Sequence, residues 1–548
     1  MTELKVKKMR VNAYYVADFE TSNDWRPGLR PAECHAWVWL WTLTEVGNVE
    51  RENVEHGFDI LSFLTQCDKL SQNKTIVVFF HNLKYDGSYL LNVLREEAKT
   101  LIDNFGRFYQ IKWNNVYFWD SLKKINNSVE KIGESFKTQH RKIKDFDYSS
   151  RPAGYIANAK EIEYAENDVL VMSEALSVLL KNGMRGMTVS GDAFKLAKNS
   201  IGWKKFPKLF PPNNELDHLV RPAYCGGWVY LNPKYAEMEI NRDFFIYDVN
   251  SEYPAICVNE LLPYGKPVFV DKIPRGIFII RFKALAKLKP GFFPFVSMKG
   301  NFRYVQTELL TETEGLECFT MTSVDYFAFL KYYDVDIYKI EWILSFKSAR
   351  GIFKDFILEN YEIKSNSEGA VKEVAKLKMN SFTGRMAMNP ERKSKVIRFE
   401  DDVLRFCDGE LNFLESIYTA YTAFITAYGR RYVHEGACAL GDDFIYSDTD
   451  SVHSFIEFPN DVVDSIELGK FKLENTCVKG KYLRAKTYMF TNVKGETKVK
   501  CAGLPDEGKK LITYDNFNVG LKLDGVKKQA HQAKGGIILT PGPFQIRI

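Results

Sequence analysis

Two strongly apolar stretches of this chain run straight into carboxylates, and few folds tolerate that. The run at 11–17 is followed by Asp18-Phe-Glu20, and the run at 244–247 by Asp248-Val-Asn-Ser-Glu-Tyr-Pro. A short apolar run of this kind reads as a buried strand. Alternation along a strand puts Asp18 and Glu20 on one face. Acids clustered at strand ends repel one another unless cations neutralise them. The chain is therefore expected to build sheets that carry charge at defined places. Composition agrees: 45% hydrophobic and 26% charged residues are ordinary for a folded protein and exclude a disordered, collagen-like or disulfide-stapled chain.

The first acid set extends beyond Glu20. A second apolar strand, 75–80, leads into His81-Asn82-Leu83-Lys84-Tyr85-Asp86-Gly87. A long amphipathic helix at 159–180 carries Tyr164 and Asp168, four apart and so on one face. Asp18, Glu20, Asp86 and Asp168 are candidates to converge. Such a set takes hard cations, Mg²⁺ or Mn²⁺. Two ions about 4 Å apart clamp the attacking and leaving oxygens of a phosphodiester. Tyr164 would orient the attacking water, which makes a nuclease reading. Taken singly, each acid reads equally well as a surface residue or a helix cap.

The second set pairs Asp248 with Tyr446-Ser-Asp448-Thr-Asp450-Ser, a hairpin-tip pattern between apolar strands. Asp248 and Asp450 would hold two metals for in-line nucleotidyl transfer. Between them Lys376, Asn380 and Thr383 fall at i, i+4 and i+7, a polar, cationic helical stripe. Lys364 lies earlier. A lysine facing a triphosphate neutralises the leaving pyrophosphate. Alone, the hairpin tip is a solvated turn and the stripe an exposed helix face.

The first 185 or so residues alternate strand-like and helix-like runs, an α/β pattern with a central sheet. The Pro- and Lys-rich stretch 204–214 reads as a linker, 353–361 and 368–382 as helices, and the charged stretch 389–416 as a protruding hairpin. From residue 472 onward there are 15 Lys and Arg against 6 Asp and Glu, which suggests a polyanion contact or a solvated lysine-rich surface. The nine cysteines are scattered without a CxxC pair, so reduced thiols are expected and a zinc site is not. No apolar run approaches the ~18 residues that span a bilayer, and MTELKVKKMR lacks the apolar core of a signal peptide. No membrane association is expected.

In order, DFET, HNLKYDG, YAEND, YCGGW, DVNSEYP, KLKMNSFTG, YSDTDS and KTY resemble the motifs of the protein-primed family B DNA polymerases of small tailed phages. The resemblance covers nearly the whole chain. It implies an α/β and α+β multidomain fold: an RNase H-like 3′–5′ exonuclease domain, then a right-hand palm, fingers and thumb with two insertions. The implied boundaries are 1–188 for the exonuclease, 189–260 and 417–504 for the palm, 351–388 for the fingers and 505–548 for the thumb. The insertions are 261–350, docking a terminal protein primer, and 389–416, closing a ring around DNA for processivity and strand displacement.

Residue by residue, the resemblance makes Asp18, Glu20, Asp86 and Asp168 the exonuclease metal ligands, with Tyr164 as the water-orienting tyrosine. His81, Asn82, Tyr85, Ser121 and Leu122 would grip the single-stranded 3′ end. Tyr224, Gly226 and Gly227 would contact DNA between the two halves, with Ser251 a further DNA contact. Asp248 and Asp450 would be the polymerase metal ligands, with Asp448 and Val249 counted beside them. Tyr253 would be the steric gate against a 2′-hydroxyl. Lys364, Lys376, Asn380 and Thr383 would bind the nucleotide, and Lys486 and Tyr488 the primer strand. Implied partners are template and primer DNA, dNTPs and a separate terminal protein, with a monomeric enzyme in the cytoplasm of an infected host cell.

The chain departs from the family twice. Thr383 stands where members commonly have Tyr. Anchoring on Asp145-Phe-Asp-Tyr148 puts Ile143 at the exonuclease lysine, flanked by Lys142 and Lys144, either of which would serve after a one-residue shift. Asp145 is a further metal candidate on resemblance alone. Two other readings fit the same motifs: a nucleic-acid-binding protein with inactive sites, and an exonuclease whose second half is only a DNA clamp.

Overall fold

The computed structural model describes residues 10–147, 149–298 and 309–547. Most of the N-terminal stretch read for a signal, Tyr148 of the DFDY anchor, part of the first insertion and Ile548 lie outside them.

A nine-stranded sheet organises the N-terminal part. At its centre Ile76–Phe80 runs parallel to both Ala13–Asn23 and Val116–Asp120. All five of its residues are buried. Ile76, Val78 and Phe80 face the helices Ile60–Leu70 and Leu83–Leu94, while Val77 and Phe79 face Ala159–Lys181. Cover on both faces is why this strand reads as an unbroken apolar run. The first strand is longer than expected. It continues through Asp18 and Glu20 to Asn23, paired with Ala36–Glu45, with a bulge after Glu20. The carboxylates thus sit within a strand, on the stretch paired with Ala36–Glu45 and just beyond the four residues paired with Ile76–Phe80. The helix Ala159–Lys181 starts at a capping box in which Asn158 and Glu161 satisfy each other's backbone.

The C-terminal half contains an eight-stranded sheet. Phe244–Val249 lies between Ser451–Ser454 and Phe471–Arg484, and Phe444–Asp448 completes the hairpin with Ser451–Ser454. The long helix Thr419–Leu440 packs across this region. Two antiparallel helices, Lys354–Asn366 and Gly369–Met386, project beside it. The described part of the first insertion is a separate four-stranded sheet, ordered Leu262–Phe269, Tyr333–Ala349, Phe278–Leu288, Glu317–Thr322.

Two expectations need correction. The 389–416 segment is a hairpin, Glu391–Glu400 with Val403–Phe413, but it does not merely protrude. Ser394 and Lys395 pair with Asp103 and Ile102, so the hairpin extends the N-terminal sheet. An open sheet edge offers unpaired backbone groups, and this hairpin fills one. The 204–214 segment is not a loose linker. Phe206 and Phe210 are buried, and Phe210 stacks on Phe353 at the root of the projecting helices. Lysine and proline content hid two aromatic anchors. The closing hairpin, Lys522–Ala533 with Gly536–Gln545, also reaches the N-terminal domain. The Tyr89 hydroxyl donates to the Ile537 carbonyl at 2.9 Å, and the Ala36 N–H to the Lys534 carbonyl at 2.9 Å.

A buried ion pair fixes the join between the halves. Lys124 donates to Asp192, at the start of helix Val189–Ile201, and to the Met184 carbonyl at 2.9 Å. Removing one partner of such a pair strands a charge in the interior. Asp192→Ala is expected to lower unfolding stability by about 3–5 kcal/mol, read from the denaturant midpoint. A loss below about 1 kcal/mol, the surface-pair range, would contradict this role.

Candidate functional site

The N-terminal acids share one cleft. Asp18, Glu20, Asp86 and Asp168 line a cavity of about 250 Å³ together with His81, Asn82, Tyr85, Lys142 and Tyr164. Phe19, between the two strand acids, turns into the core. Asp86 sits in the first turn of Leu83–Leu94, and Asp168 lies one helical turn beyond Tyr164. Burial, then the charge of Asp168, pushes the Asp18 carboxyl up to about 7. Burial, then Asp18, holds Glu20 and Asp86 well above the usual carboxylate range. Asp168 is also raised by burial, despite its ion pair with Lys142.

These residues fit a divalent cation. The Asp168 Oδ1 is buried without a hydrogen-bond partner among the described residues. Oxygen donors of this kind suit Mg²⁺ or Mn²⁺. Among the described residues no three acidic, histidine or cysteine side chains are drawn together as a ready-made cage. Like charges in a cleft have every reason to stand apart.

The structure also separates the two lysines. Lys142 donates to Asp168 and, at 3.1 Å, to the Tyr164 hydroxyl, whereas Lys144 pairs with Glu130 at the surface. Phe146 stacks on Tyr164 with ring centroids 3.8 Å apart. Turning Phe146 inward sends Asp145 outward. It is exposed and is not among the residues lining the cavity, so nothing in the geometry makes it a ligand.

Two neighbouring motifs are tied together by a residue that the sequence reading passed over. The Asp120 carboxylate accepts from the backbone N–H of Asn82, Leu83 and Leu122, at 3.2, 3.3 and 3.1 Å. Asn82 adopts a left-handed backbone to make this possible. His81 bonds Ser121 Oγ at 2.9 Å and the Asn127 carbonyl at 2.8 Å, and Tyr85 bonds Thr21 at 2.6 Å. The signal was present, since Asp120 directly precedes Ser121 at the end of a parallel strand next to Phe80. Arg151 is a second omission. Buried, it forks onto Glu161 at 3.0 and 2.7 Å while its N–H bonds Ser22 at 2.9 Å. It thereby links the strand bearing Glu20 to the helix bearing Tyr164.

In the C-terminal sheet Asp248, Asp448, Asp450 and Tyr488 line a second cavity, of about 520 Å³. Asp248 is level with Ser451 on one side and Lys472 on the other. The Val249 N–H donates to the Asp450 carbonyl at 2.9 Å, which ties strand to hairpin tip. Burial, then Asp450, pushes the Asp248 carboxyl up to about 7, and burial raises Asp450. Lys486 pairs with Asp448 at 2.7 Å. Behind them Tyr446, His453, Tyr482 and Tyr488 form an aromatic cluster, in which His453 bonds the Tyr482 hydroxyl at 2.7 Å. Gly227 lies against the hairpin tip, where a Cβ would come within 2.6 Å of Thr449. Arg430 forks onto Asp325 of the first insertion and donates to the carbonyls of Cys225 and Gly226, holding the YCGGW loop between them.

Lys364 donates to Ser251 at 2.7 Å, and burial, then Lys376 and Lys372, lowers its pKa. Lys372 was another omission. Lys376 and Asn380 are exposed, but Thr383 is buried. Thr422 of the long helix donates to the Thr383 carbonyl at 2.7 Å. The expected stripe is therefore open only along its first turn, because a neighbouring helix covers the rest. Glu252 is a further surprise. It is buried beside Tyr253 with its Oε1 unpartnered among the described residues, and it lies against Gly429.

Residues 144–456 match the family model described as DNA polymerase type B, organellar and viral. The chain is 33% identical to the DNA polymerase of Bacillus phage phi29 over 97% of its own length and 99% of the relative's. It is 28% identical to that of Streptococcus phage Cp-1, over 98% and 99%. It superposes on phi29 DNA polymerase complexed with primer-template DNA and incoming nucleotide with a TM-score of 0.88. That match is at 32% identity and covers 98% of this chain and 100% of the other. The chain belongs to the protein-primed, phi29-like type B DNA polymerases. It is a DNA polymerase with a 3′–5′ exonuclease, on a mixed α/β multidomain fold, and the family generally uses a divalent metal. No helix among the described residues is long and apolar enough to cross a membrane.

Two outcomes follow for this polymerase. Lys142→Ala is expected to slow degradation of a 3′-labelled single strand by about a hundredfold, with Lys144→Ala near wild type. Equal losses would show that the wrong lysine has been assigned. The second outcome concerns pH. Asp18 and Asp248, with ordinary values of 3.8, ionise at about 7 in the folded chain. Between those values the native state holds protons that unfolding releases, so the stability of the metal-free protein falls as pH rises through that window. In chelator, the Tm of the wild type should drop relative to Asp18→Asn/Asp248→Asn between about pH 4 and 7. Parallel curves would refute the raised values.

Proposed function

We propose that the two acid-lined cavities are separate catalytic centres, one extending DNA and the other trimming it. The observation that carries this reading is that each cavity gathers buried or half-buried carboxylates from separate elements, a strand and two helices at the first and a strand and the neighbouring hairpin at the second. At the first centre Asp18, Glu20, Asp86 and Asp168 would hold Mg²⁺, with Mn²⁺ a substitute, and at the second Asp248 and Asp450, with Asp448 and Val249 beside them. Two bound ions supply a lowered pKa at the attacking hydroxyl or water and neutralisation of the leaving group.

The chain's own residues do the positioning. Lys364, Lys376 and Asn380 attract the triphosphate, and Lys364 holds Ser251 while it does so. Tyr253 stands under the sugar and excludes a 2′-hydroxyl. The Tyr488 ring packs in the aromatic cluster and Lys486 tracks the primer backbone. Buried Thr383 offers no face to the base pair, so that contact is made by other groups than in relatives with Tyr. At the trimming centre Lys142 and Tyr164 orient the water, and the Asp120-braced motifs, with His81, Asn82, Tyr85, Ser121 and Leu122, grip the frayed 3′ end. Tyr224, Gly226 and Gly227 guide the strand between the centres.

The first insertion is read as the dock for a separate terminal protein whose hydroxyl starts synthesis. The second, joined to the N-terminal sheet and near the closing hairpin, is read as part of a ring that gives processivity and strand displacement. Template and primer DNA and dNTPs are the substrates, and the enzyme acts as a monomer in the cytoplasm of an infected host cell.

Alanine variants test the division. Asp248→Ala and Asp450→Ala are expected to abolish primer extension and leave degradation intact. Asp18→Ala with Glu20→Ala should do the reverse. Extension that persists without Asp248 and Asp450, or loss of both activities from either pair, would overturn it.

A further inference from the structure

The Pro- and Lys-rich segment between the two halves is not absorbed by either centre. No acidic residue interrupts 193–214, whereas lysines stand at 195, 198, 204, 205 and 208. Trp203 lies among them with 59% of its surface exposed. Lys198 sits 4.6 Å from the centre of the Trp203 ring and 5.0 Å from that of Phe206. Lys204, Lys205, Pro207 and Lys208 are exposed around it.

The segment is rigidly mounted. Phe206 N–H donates to the Gly202 carbonyl at 3.0 Å and Phe210 N–H to Phe206 at 2.8 Å. Phe206 and Phe210 are buried, and Phe210 meets Phe353, Tyr418 and Tyr421. Helix Val189–Ile201, which leads into it, packs on the finger helix Gly369–Met386. The turn therefore presents its tryptophan and lysines on a backbone that is already ordered when a ligand arrives.

We propose that Trp203 with Lys204, Lys205 and Lys208 forms a platform for single-stranded DNA outside both catalytic centres. An exposed indole stacks on any base, and lysines neutralise the phosphates on either side, a pairing that is sequence-tolerant. A duplex hides its base faces and offers the indole nothing to stack on. A polymerase meets single strands of the same chemistry from two sources: the template ahead of the primer, and the strand displaced from a duplex. The inference adds to the proposed function without depending on how the two acid cavities divide their work.

The test uses the full chain with Trp203→Ala and with the triple change Lys204→Ala/Lys205→Ala/Lys208→Ala. All four side chains are exposed, so unfolding midpoints should match wild type. Binding of a labelled oligo-dT is followed by anisotropy in chelator, where nothing is hydrolysed. Trp203→Ala should weaken it about tenfold. The triple change should flatten the slope of log affinity against log salt by about 2. Extension then separates the sources. Slower extension on a primed template with a long 5′ overhang, restored when the overhang is cut short, assigns the platform to the template. Slower extension only through duplex assigns it to the displaced strand. Unchanged affinity, salt slope and extension in both formats would overturn the proposal. So would equal weakening of blunt duplex binding, because the site would then be a general polyanion contact.

Discussion

Repulsion among buried carboxylates is the constraint around which this polymerase is built. Asp18, Glu20, Asp86 and Asp168 would gain solvation and lose mutual repulsion by turning outward. They stay because each is fixed by an element that cannot turn: a strand paired to Ala36–Glu45 along the stretch that bears Asp18 and Glu20, the first turn of one helix, the middle of another. The second centre obeys the same rule, with Asp248 on a strand flanked by two partners and Asp450 tied to it through the backbone. The packed elements hold the acids in place, and their crowding and burial raise the pKa of Asp18, Glu20, Asp86 and Asp248.

Around each centre the bracing groups are themselves polar and buried. Asp120 gathers three backbone N–H groups, Arg151 forks onto Glu161, and Arg430 forks onto Asp325. These bonds are charge-assisted, and the bidentate one, Arg430 on both oxygens of Asp325, fixes orientation as well as position. They also connect elements far apart in the chain. Arg430 joins the helix Thr419–Leu440 to helix Ser323–Tyr332 and to the YCGGW loop, so these three elements share one set of bonds. The second insertion is coupled to the N-terminal domain in another way, through strand pairing with Lys99–Asp103. Such a junction is stiffer than side-chain contact alone, because the backbone ladder sets its register.

Much of this was legible beforehand. The strand Ile76–Phe80 and the helix Ala159–Lys181 were readable because full burial and 3.6-residue periodicity leave strong local patterns. All four cleft acids and the Asp248–Asp450 pair were readable because their motifs occur in a fixed order. Other features were not. Lys142 and Lys144 are equivalent in sequence, and only the direction of Phe146 decides between them. Thr383 lies on a polar stripe by spacing, yet the helix Thr419–Leu440 covers it. The 204–214 segment reads as a linker by composition, and its two buried phenylalanines are invisible without their partners.

By itself, then, the sequence determined which residue types would carry chemistry and which local elements would bear them, since periodicity and motif order are properties of neighbours along the chain. Tertiary structure alone decided which lysine meets Asp168, that a hairpin from the middle of the polymerase half completes the N-terminal sheet, and that an exposed tryptophan is mounted rigidly among lysines. Those outcomes depend on contacts between different elements, from Lys142 with Asp168 to Ser394 with Asp103, and no local pattern records which surface a folded neighbour will cover.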